Sequence, residues 1–464
     1  MKRIIKLSIF FIYAVVFTGT FAQDVIDEDM LFADTNSMID SSEVIDSSIT
    51  MGNSEKTTAA FSGSVNSVAQ FGLSREFLKN LNRHEITPSA YILGNLLLDI
   101  RLPKDIKAFA NLETTFNADS SDFDVGLQEL FIDANVKRKI YFRTGKQVLQ
   151  WGRCYFWNPT DLINVEKKKL EPDIGYREGA YGIKAHVPFG TKYNLYGFID
   201  MRKMTSVDSV AGAIKGEILL GVTEIGTALW GKKSRKPVFG IDFSTMLADL
   251  TISGELSLES GRNYTKIDSL RPGEPMYEFL LRAANNPDID LNATIDKKVI
   301  AKTCVGISKS FDLMDIKNRV NVISEFFYNQ GGVPGDFYDE HDIKETFDTL
   351  DAWSRDTNNS NSDGVNEKKK KLQNRFSNPN EFSRYYMSLF LTISKFIVPE
   401  MQFQFNTIIN FEQHAAMIIG SLQYTTLHNL TLGFVITGAV GSGETEYTLS
   451  NSALSARLNL GIAF

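Results

Sequence analysis

Residues 90–102 read Ala90-Tyr91-Ile92-Leu93-Gly94-Asn95-Leu96-Leu97-Leu98-Asp99-Ile100-Arg101-Leu102. From Ile92 onward every second position is apolar or glycine: Ile92, Gly94, Leu96, Leu98, Ile100 and Leu102. Asn95, Asp99 and Arg101 fall on the other face. A period of two places successive side chains on opposite faces of a β-strand. One face that excludes charge and one that tolerates it is what a wall between lipid and water requires.

The same grammar recurs along the chain. In 299–311, Val299, Ala301, Val305 and Ile307 oppose Lys302, Cys304, Ser308 and Ser310. It returns in 400–411 and in 429–441, where Leu430, Leu432, Phe434 and Ile436 share a face. These runs are longer than most strands of soluble domains, and no blade-length repeat supports a propeller. The chain ends with Leu458, Leu460, Ile462 and Phe464 in strict alternation. A terminal aromatic resembles the signal that outer-membrane barrels present to their assembly machinery, and it suits the interfacial girdle. The fold class expected is all-β, a transmembrane antiparallel barrel in contact with outer-membrane lipid.

Loop lengths give the topology, because such barrels have short periplasmic turns, long outer loops and an even number of strands. With 61–73 as the first ascending strand, short turns fall at Pro103-Lys104-Asp105, Lys137-Arg138-Lys139 and Pro188-Phe189-Gly190. Segments 74–89, 149–177 and 203–212 are then outside. Residues 213–231 must divide near Val222-Thr223 to keep 260–297 and 330–383 outside, with turns near 313–317, 397–399 and 426–428 below. This division yields 18 strands, with 16 as the alternative.

The N-terminus has the layout of a secretory signal. Lys2, Arg3 and Lys6 precede the apolar run Leu7–Phe17, and small residues lead to Ala22 and Gln23. The apolar run is too short to span a membrane, and 1–22 is therefore read as a cleaved signal peptide. Residues 23–60 hold nine acidic side chains against Lys56 and read as a disordered acidic leader, with 61–464 as the barrel. Without the leader the chain is close to neutral, which argues against a nucleic-acid partner. Cys154 and Cys304 are too few for a disulfide-dense scaffold.

The densest stretch runs from Gly145-Lys146-Gln147 through Gln150-Trp151-Gly152-Arg153-Cys154-Tyr155-Phe156-Trp157-Asn158-Pro159-Thr160-Asp161 to Arg177-Glu178-Gly179. The pattern GKQ…WG…WNPTD…REG resembles a motif of uncharacterised bacterial outer-membrane barrels, porin-like families among them. The resemblance implies the bacterial outer membrane and a porin-like barrel, and leaves the solute unnamed. Physically, Asn158-Pro159-Thr160-Asp161 is a turn signal. Trp151 and Trp157 need burial against the wall or in the barrel mouth. Arg153, Asp161, Glu171, Asp173, Arg177 and Glu178 are expected to pair across the loop. Trp151, Arg153, Tyr155, Trp157, Asp161, Arg177 and Glu178 are thus candidates for a pore constriction or for a latch pinning the loop to the wall. If the loop folds inward, Cys154 and Cys304 approach within disulfide range.

Catalytic signals are weak. His84, His186, His341, His414 and His428 lack metal-ligand spacing, and no nucleophile elbow or phosphate loop appears. The acidic run Asp336–Asp342 lacks the order of a calcium loop. No enzyme activity, metal or cofactor is expected. The expected function is passage of a small solute through a porin-like channel, and an oligomer is compatible with it. The alternative is a surface adhesin or receptor that uses loops 260–297 and 330–383. N-terminal sequencing of protein recovered from the cell envelope should begin at Gln23; a chain still starting at Met1 would point to an anchor instead of a cleaved signal.

Overall fold

Strands form wherever the alternation runs uninterrupted, and they stop at the turn residues between. A computed structural model describes residues 57–74, 86–118, 121–163, 179–201, 210–233, 235–262, 271, 274–276, 278–279, 282, 295–333, 335, 337, 380–426, 429–443, 445–448 and 452–464. In chain order the first nine strands are β1 (Thr58–Ser74), β2 (Ile86–Leu102), β3 (Ile106–Asn117), β4 (Asp122–Val136), β5 (Ile140–Gln147), β6 (Ala180–Phe189), β7 (Tyr193–Asp200), β8 (Ala211–Leu220) and β9 (Thr223–Lys232). Then follow β10 (Arg235–Leu247), β11 (Leu250–Arg262), β12 (Ile295–Leu313), β13 (Ile316–Asn329), β14 (Tyr385–Ser394), β15 (Met401–Asn410), β16 (Ala415–Thr425), β17 (Leu430–Val440) and β18 (Ser452–Ala463).

Each strand pairs antiparallel with its neighbours in sequence, and β1 pairs with both β2 and β18, which closes an 18-stranded barrel. Closure is done by backbone bonds: Gly63 N–H donates to the Phe464 carbonyl at 2.8 Å, and Phe464 N–H to the Gly63 carbonyl at 2.9 Å. No strand edge is left to face hydrocarbon, where an unpaired amide would be costly. Among the described residues no helix is long and apolar enough to cross a membrane; the strands do the crossing.

The alternation sorts the faces as expected. Ile92, Leu96, Leu98 and Leu102 of β2, Val305 and Ile307 of β12, and Leu458, Leu460 and Ile462 of β18 are exposed on the outer wall. Their alternate neighbours Asn95, Asp99, Cys304 and Asn459 point to the lumen by strand parity. Phe464 lies against Phe61, with ring centroids 6.4 Å apart, so the two aromatics cap the seam at one rim. An apolar outer band, rimmed by aromatics around a polar lumen, is the construction of an outer-membrane barrel.

The two rims differ. On one, connections are tight: 103–105, 137–139, 190–192, 221–222, 248–249, 314–315, 395–400 and 426–429. Several pass through left-handed backbone, as at Lys104 and Asp105 (φ 64° and 58°), Gly221 (φ 67°), and Met314 and Asp315 (φ 53° and 61°). Such turns match the twist of the flanking strands. Gly221 divides β8 from β9 where the parity rule required a break, and 18 strands stand over the alternative of 16. Two boundaries shift. β1 begins at Thr58, three residues before the expected start at 61. Pro188 and Phe189 belong to β6, opposite Asn194 and Tyr193, so that turn is 190–192. The long connections gather on the opposite rim, which is the outer one by the same rule.

The faces predict unequal tolerance of charge. Leu98→Arg should impair barrel assembly, since arginine near the bilayer midplane costs about 2–4 kcal/mol, whereas Asn95→Arg three residues away should assemble. Heat-modifiable migration on gels reads both, and equal yields of folded barrel would contradict the register.

Candidate functional site: a loop seated on the lumen wall

One row of register partners crosses the inner wall: Glu217 of β8, Gly226 of β9, Asp242 of β10, Glu255 of β11, Cys304 of β12, Phe327 of β13 and Tyr386 of β14. The row is acidic at one end and aromatic at the other. Gly226 is required in it, because a β-carbon there would lie 2.5 Å from an Asp242 carboxylate oxygen. Glu325 of β13 sits one step off the row, opposite Gly306. Asp242, Glu255 and Glu325 are all buried.

The connection after β5 covers this row. Its described part, 148–163, turns into the lumen and lies along the wall. Arg153 enters the acidic end, where its guanidinium meets Glu217 and Glu224 at 2.6 Å each and Asp242 at 3.2 Å. Lys215, also buried, bridges Glu217 and Asp242 at 3.0 and 3.2 Å and donates to the Trp151 carbonyl at 2.5 Å. Burial works against the charge on Arg153, but Glu217, Glu224 and Asp242 outweigh it and push its pKa up. The arginine is therefore a fixed cation.

Next, two carboxylates replace water at the loop backbone. Glu255 accepts from the N–H groups of Arg153 (2.5 Å), Cys154 (2.6 Å) and Thr160 (2.9 Å), and from the Thr160 hydroxyl (2.8 Å). Glu325 accepts from the N–H groups of Tyr155, Phe156 (3.0 Å) and Trp157 (3.1 Å). Charge-assisted bonds of this kind are the strong ones, and buried backbone donors must find partners. Gly152 permits the approach: a β-carbon there would lie 2.4 Å from Asn158 Oδ1 and 2.7 Å from Glu255 Oε1.

Aromatic side chains occupy two sockets flanking this polar strip. Trp151, Leu162 and Ile163 join Phe198, Ala213, Trp230 and Val238 in one apolar cluster. Trp157 enters a second, stacked on Phe327 at 5.3 Å and 4°, with Tyr386 at 5.9 Å. Its indole N–H donates to the Asn380 carbonyl at 2.7 Å. Tyr155 meets Phe390 edge-on at 4.9 Å. The chain then turns, with Asp161 N–H bonded to the Asn158 carbonyl at 3.0 Å, and Thr160 carries it back to Glu255. The loop thus runs out along the wall and returns.

A third element locks the far end. Glu446, between β17 and β18, accepts from Asn380 N–H (2.8 Å), the Tyr386 hydroxyl (3.2 Å) and the Asn410 amide (2.6 Å). Between β11 and β12, Met276 and Phe279 are buried and Glu274 holds Arg282 at 2.8 Å.

Of the sequence candidates, Trp151, Arg153, Tyr155, Trp157 and Asp161 come together on this wall. Arg177 and Glu178, with Glu171 and Asp173, lie outside the described residues, as does most of the Asp336–Asp342 run. Arg153 pairs with carboxylates of three barrel strands, Glu217, Glu224 and Asp242, while the loop acids Glu171, Asp173 and Glu178 lie outside the described residues. The carboxylates that hold the loop, Glu217, Asp242, Glu255 and Glu325, were not singled out in the sequence. Their signal is an acid at an inward-parity position in the middle of a strand. Cys154 and Cys304 do meet: both are fully buried free thiols, and with Glu325 their ligand atoms lie within 4.8 Å of one another. His186 serves the wall, stacked on Tyr196 at 4.5 Å and bonded to Asn194 at 3.0 Å.

Burial pushes the Glu446 carboxyl up to about 7 against the pull of its donors. A carboxyl raised above its solution value favours the docked loop when protonated, and that contribution fades as pH rises from about 4.5 through 7. The β17–β18 loop should therefore be cut faster by protease at pH 8.5 than at pH 5.5, and Glu446→Gln should remove most of that difference. A variant with the full wild-type difference would assign the pH effect to another group.

No protein-family model and no curated protein matches the chain. Solved structures do. The chain is similar to OccK2 (OpdF) of Pseudomonas aeruginosa in complex with glucuronate, with TM-score 0.50 and 9% identity over 88% of this chain and 98% of that one. A second OccK2 structure matches with TM-score 0.50 and 10% identity over 88% and 97%. At this identity the likeness is one of fold: the chain shares the barrel architecture of OccK2.

Proposed function

We propose that the protein is a porin-like channel of the bacterial outer membrane that passes small polar solutes, with loop 148–163 as its constriction. The observation that carries this reading is the asymmetry of the lumen. On β8–β13 inward charges are engaged by the loop, by one another, as in Arg235–Glu259 and Lys302–Glu259 at 3.0 and 2.8 Å, or by backbone, as Arg319 is by the Lys395 and Phe396 carbonyls at 2.7 and 2.9 Å. Across β14–β18 and β1, strand parity turns inward Ser394, Gln402, Gln404, Asn406, Ser421, Gln423, Asn459, Asn66 and Gln70, with Arg457 as the one charged side chain on the inward face of these six strands. Gln402, Gln404, Asn406, Gln423, Asn459, Asn66 and Gln70 are half-buried, as side chains lining a water-filled bore are.

A barrel of this width encloses a lumen wider than side chains alone can fill. The loop closes part of it, β2–β6 add inward charges paired as in Lys107–Asp99 (2.9 Å) and Arg143–Asp133 (2.6 Å), and the wall of β14–β18 and β1 offers hydroxyls and amides. That wall suits small, hydroxyl-bearing solutes of low charge, with Arg153 and its acids biasing ions near the loop. Phe464 serves as the assembly signal. OccK2, the barrel of like fold, has been solved with the acidic sugar glucuronate, a solute of similar size.

Reconstitution in a planar bilayer tests the reading. The wild-type barrel should give discrete conductance steps, and deletion of residues 153–172 should raise conductance and relax ion preference while a heat-modifiable barrel persists. Arg153→Gln removes the cation that Glu217, Glu224 and Asp242 share. Removing one partner of a buried ion pair costs about 3–5 kcal/mol, and the variant should therefore show noisier steps and a shift toward cations. A folded barrel that conducts nothing would favour a filled lumen and the adhesin reading. Failure of the deletion variant to assemble would make the loop a latch.

A further inference from the structure

We infer that Cys154 and Cys304 are a disulfide site that ties the lumen loop covalently to strand β12. The inference depends on the loop being seated against the wall and not on whether the lumen conducts.

The two thiols reach each other from distant parts of the chain for separate reasons. Cys304 faces inward by the alternation of β12, in register with Glu255 and Phe327. Cys154 is aimed by its backbone. Glu255 binds its own N–H and that of Arg153, while Glu325 binds the three N–H groups that follow. Residues 153–157 are thus pinned on both sides of the thiol. Both sulfurs are buried within 4.8 Å of each other, and Cys154 Sγ lies 3.6 Å from Ser253 Oγ. Two thiols held this close are within reach of a disulfide.

A soft divalent cation is the competing occupant, since Glu325 completes a group of three ligand-type side chains. Glu325 is already spent: Oε1 accepts from Tyr155, and Oε2 from Phe156 and Trp157. A structural zinc site also needs four ligands. The dithiol is therefore better matched to oxidation than to coordination.

The chemistry balances with a donor disulfide from an oxidising partner protein, the usual currency of the periplasm. One cysteine, as thiolate, attacks a donor sulfur, and the mixed disulfide is displaced by the other. Cys154 and Cys304 lose two protons and two electrons in forming their S–S bond, and the donor is reduced to a dithiol. A hydrogen bond with Cys304 lowers the Cys154 pKa, but burial with the Glu255 and Glu325 carboxylates raises it further. Thiolate is scarce once the loop is seated, so exchange belongs to assembly, before the thiols are shut away.

The test uses the full chain exported to the envelope of aerobically grown cells. Membranes are denatured in excess N-ethylmaleimide and the intact protein is weighed. The inference expects no maleimide adduct before reduction and two after it, with Cys154→Ser and Cys304→Ser each carrying one adduct without reduction. It also expects the unfolding temperature of the heat-modifiable band to fall by several degrees in either variant, matched by wild type that has been reduced while unfolded and refolded. Two adducts without reductant would overturn the inference. So would one zinc ion per chain in native mass spectra with both thiols alkylated after chelation. The labelling of the wild-type protein decides the matter even if a serine variant does not assemble.

Discussion

The bilayer offers no hydrogen bonds, and from that constraint the rest of this molecule follows. A sheet with a free edge would expose a column of N–H and C=O groups to hydrocarbon, each costing several kcal/mol. The pairing of β18 with β1 removes the edge, and the reciprocal bonds between Gly63 and Phe464 finish it at the rim. Once the wall is closed, a period-two sequence divides into a lipid side and a lumen side with no further instruction. The outer face then has one task, to be apolar. All remaining chemistry is confined to the inner face.

That confinement made the fold legible in the sequence. The alternation in 90–102 and in the last residues before Phe464 reads directly as strands of a membrane wall, because lipid punishes every charged residue of the wrong parity. The rule of short turns and long loops even called for a break near Val222-Thr223, inside a run that looks like one strand, and the turn lies there at Gly221. Boundaries moved by a few residues where turn chemistry was ambiguous, as at Pro188, which β6 accommodates next to its turn.

The site was legible on one side only. A segment with Trp151, Arg153, Tyr155 and Trp157 announces that it must be buried, since so much aromatic surface is costly in water. It does not announce its partners. Glu255 and Glu325 lie far away in the chain, among other polar residues of the inward faces of β11 and β13, and each binds mainly backbone N–H groups. Backbone donors carry no side-chain signature, so nothing in the loop sequence identifies them. The strand partners of Arg153 were hidden for the same reason. Sequence proximity suggested local acids, whereas the barrel brings Glu217, Glu224 and Asp242 together from three strands.

The loop is held by its backbone and by its two tryptophan rings. The backbone of 153–157 and the rings of Trp151 and Trp157 face the wall, where they are satisfied by carboxylates and apolar sockets. A segment held this way has little conformational freedom left to lose, so it is a rigid element of the wall. Rigidity has a requirement of its own: the buried acids must keep their donors, because a carboxylate stripped of partners in a partly dry lumen is far costlier than one that never had them. The acids on β8–β13 therefore explain why this part of the wall is covered. The uncharged amides on β15–β18 and β1, which stay hydrated at little cost, make no such demand on their part of it.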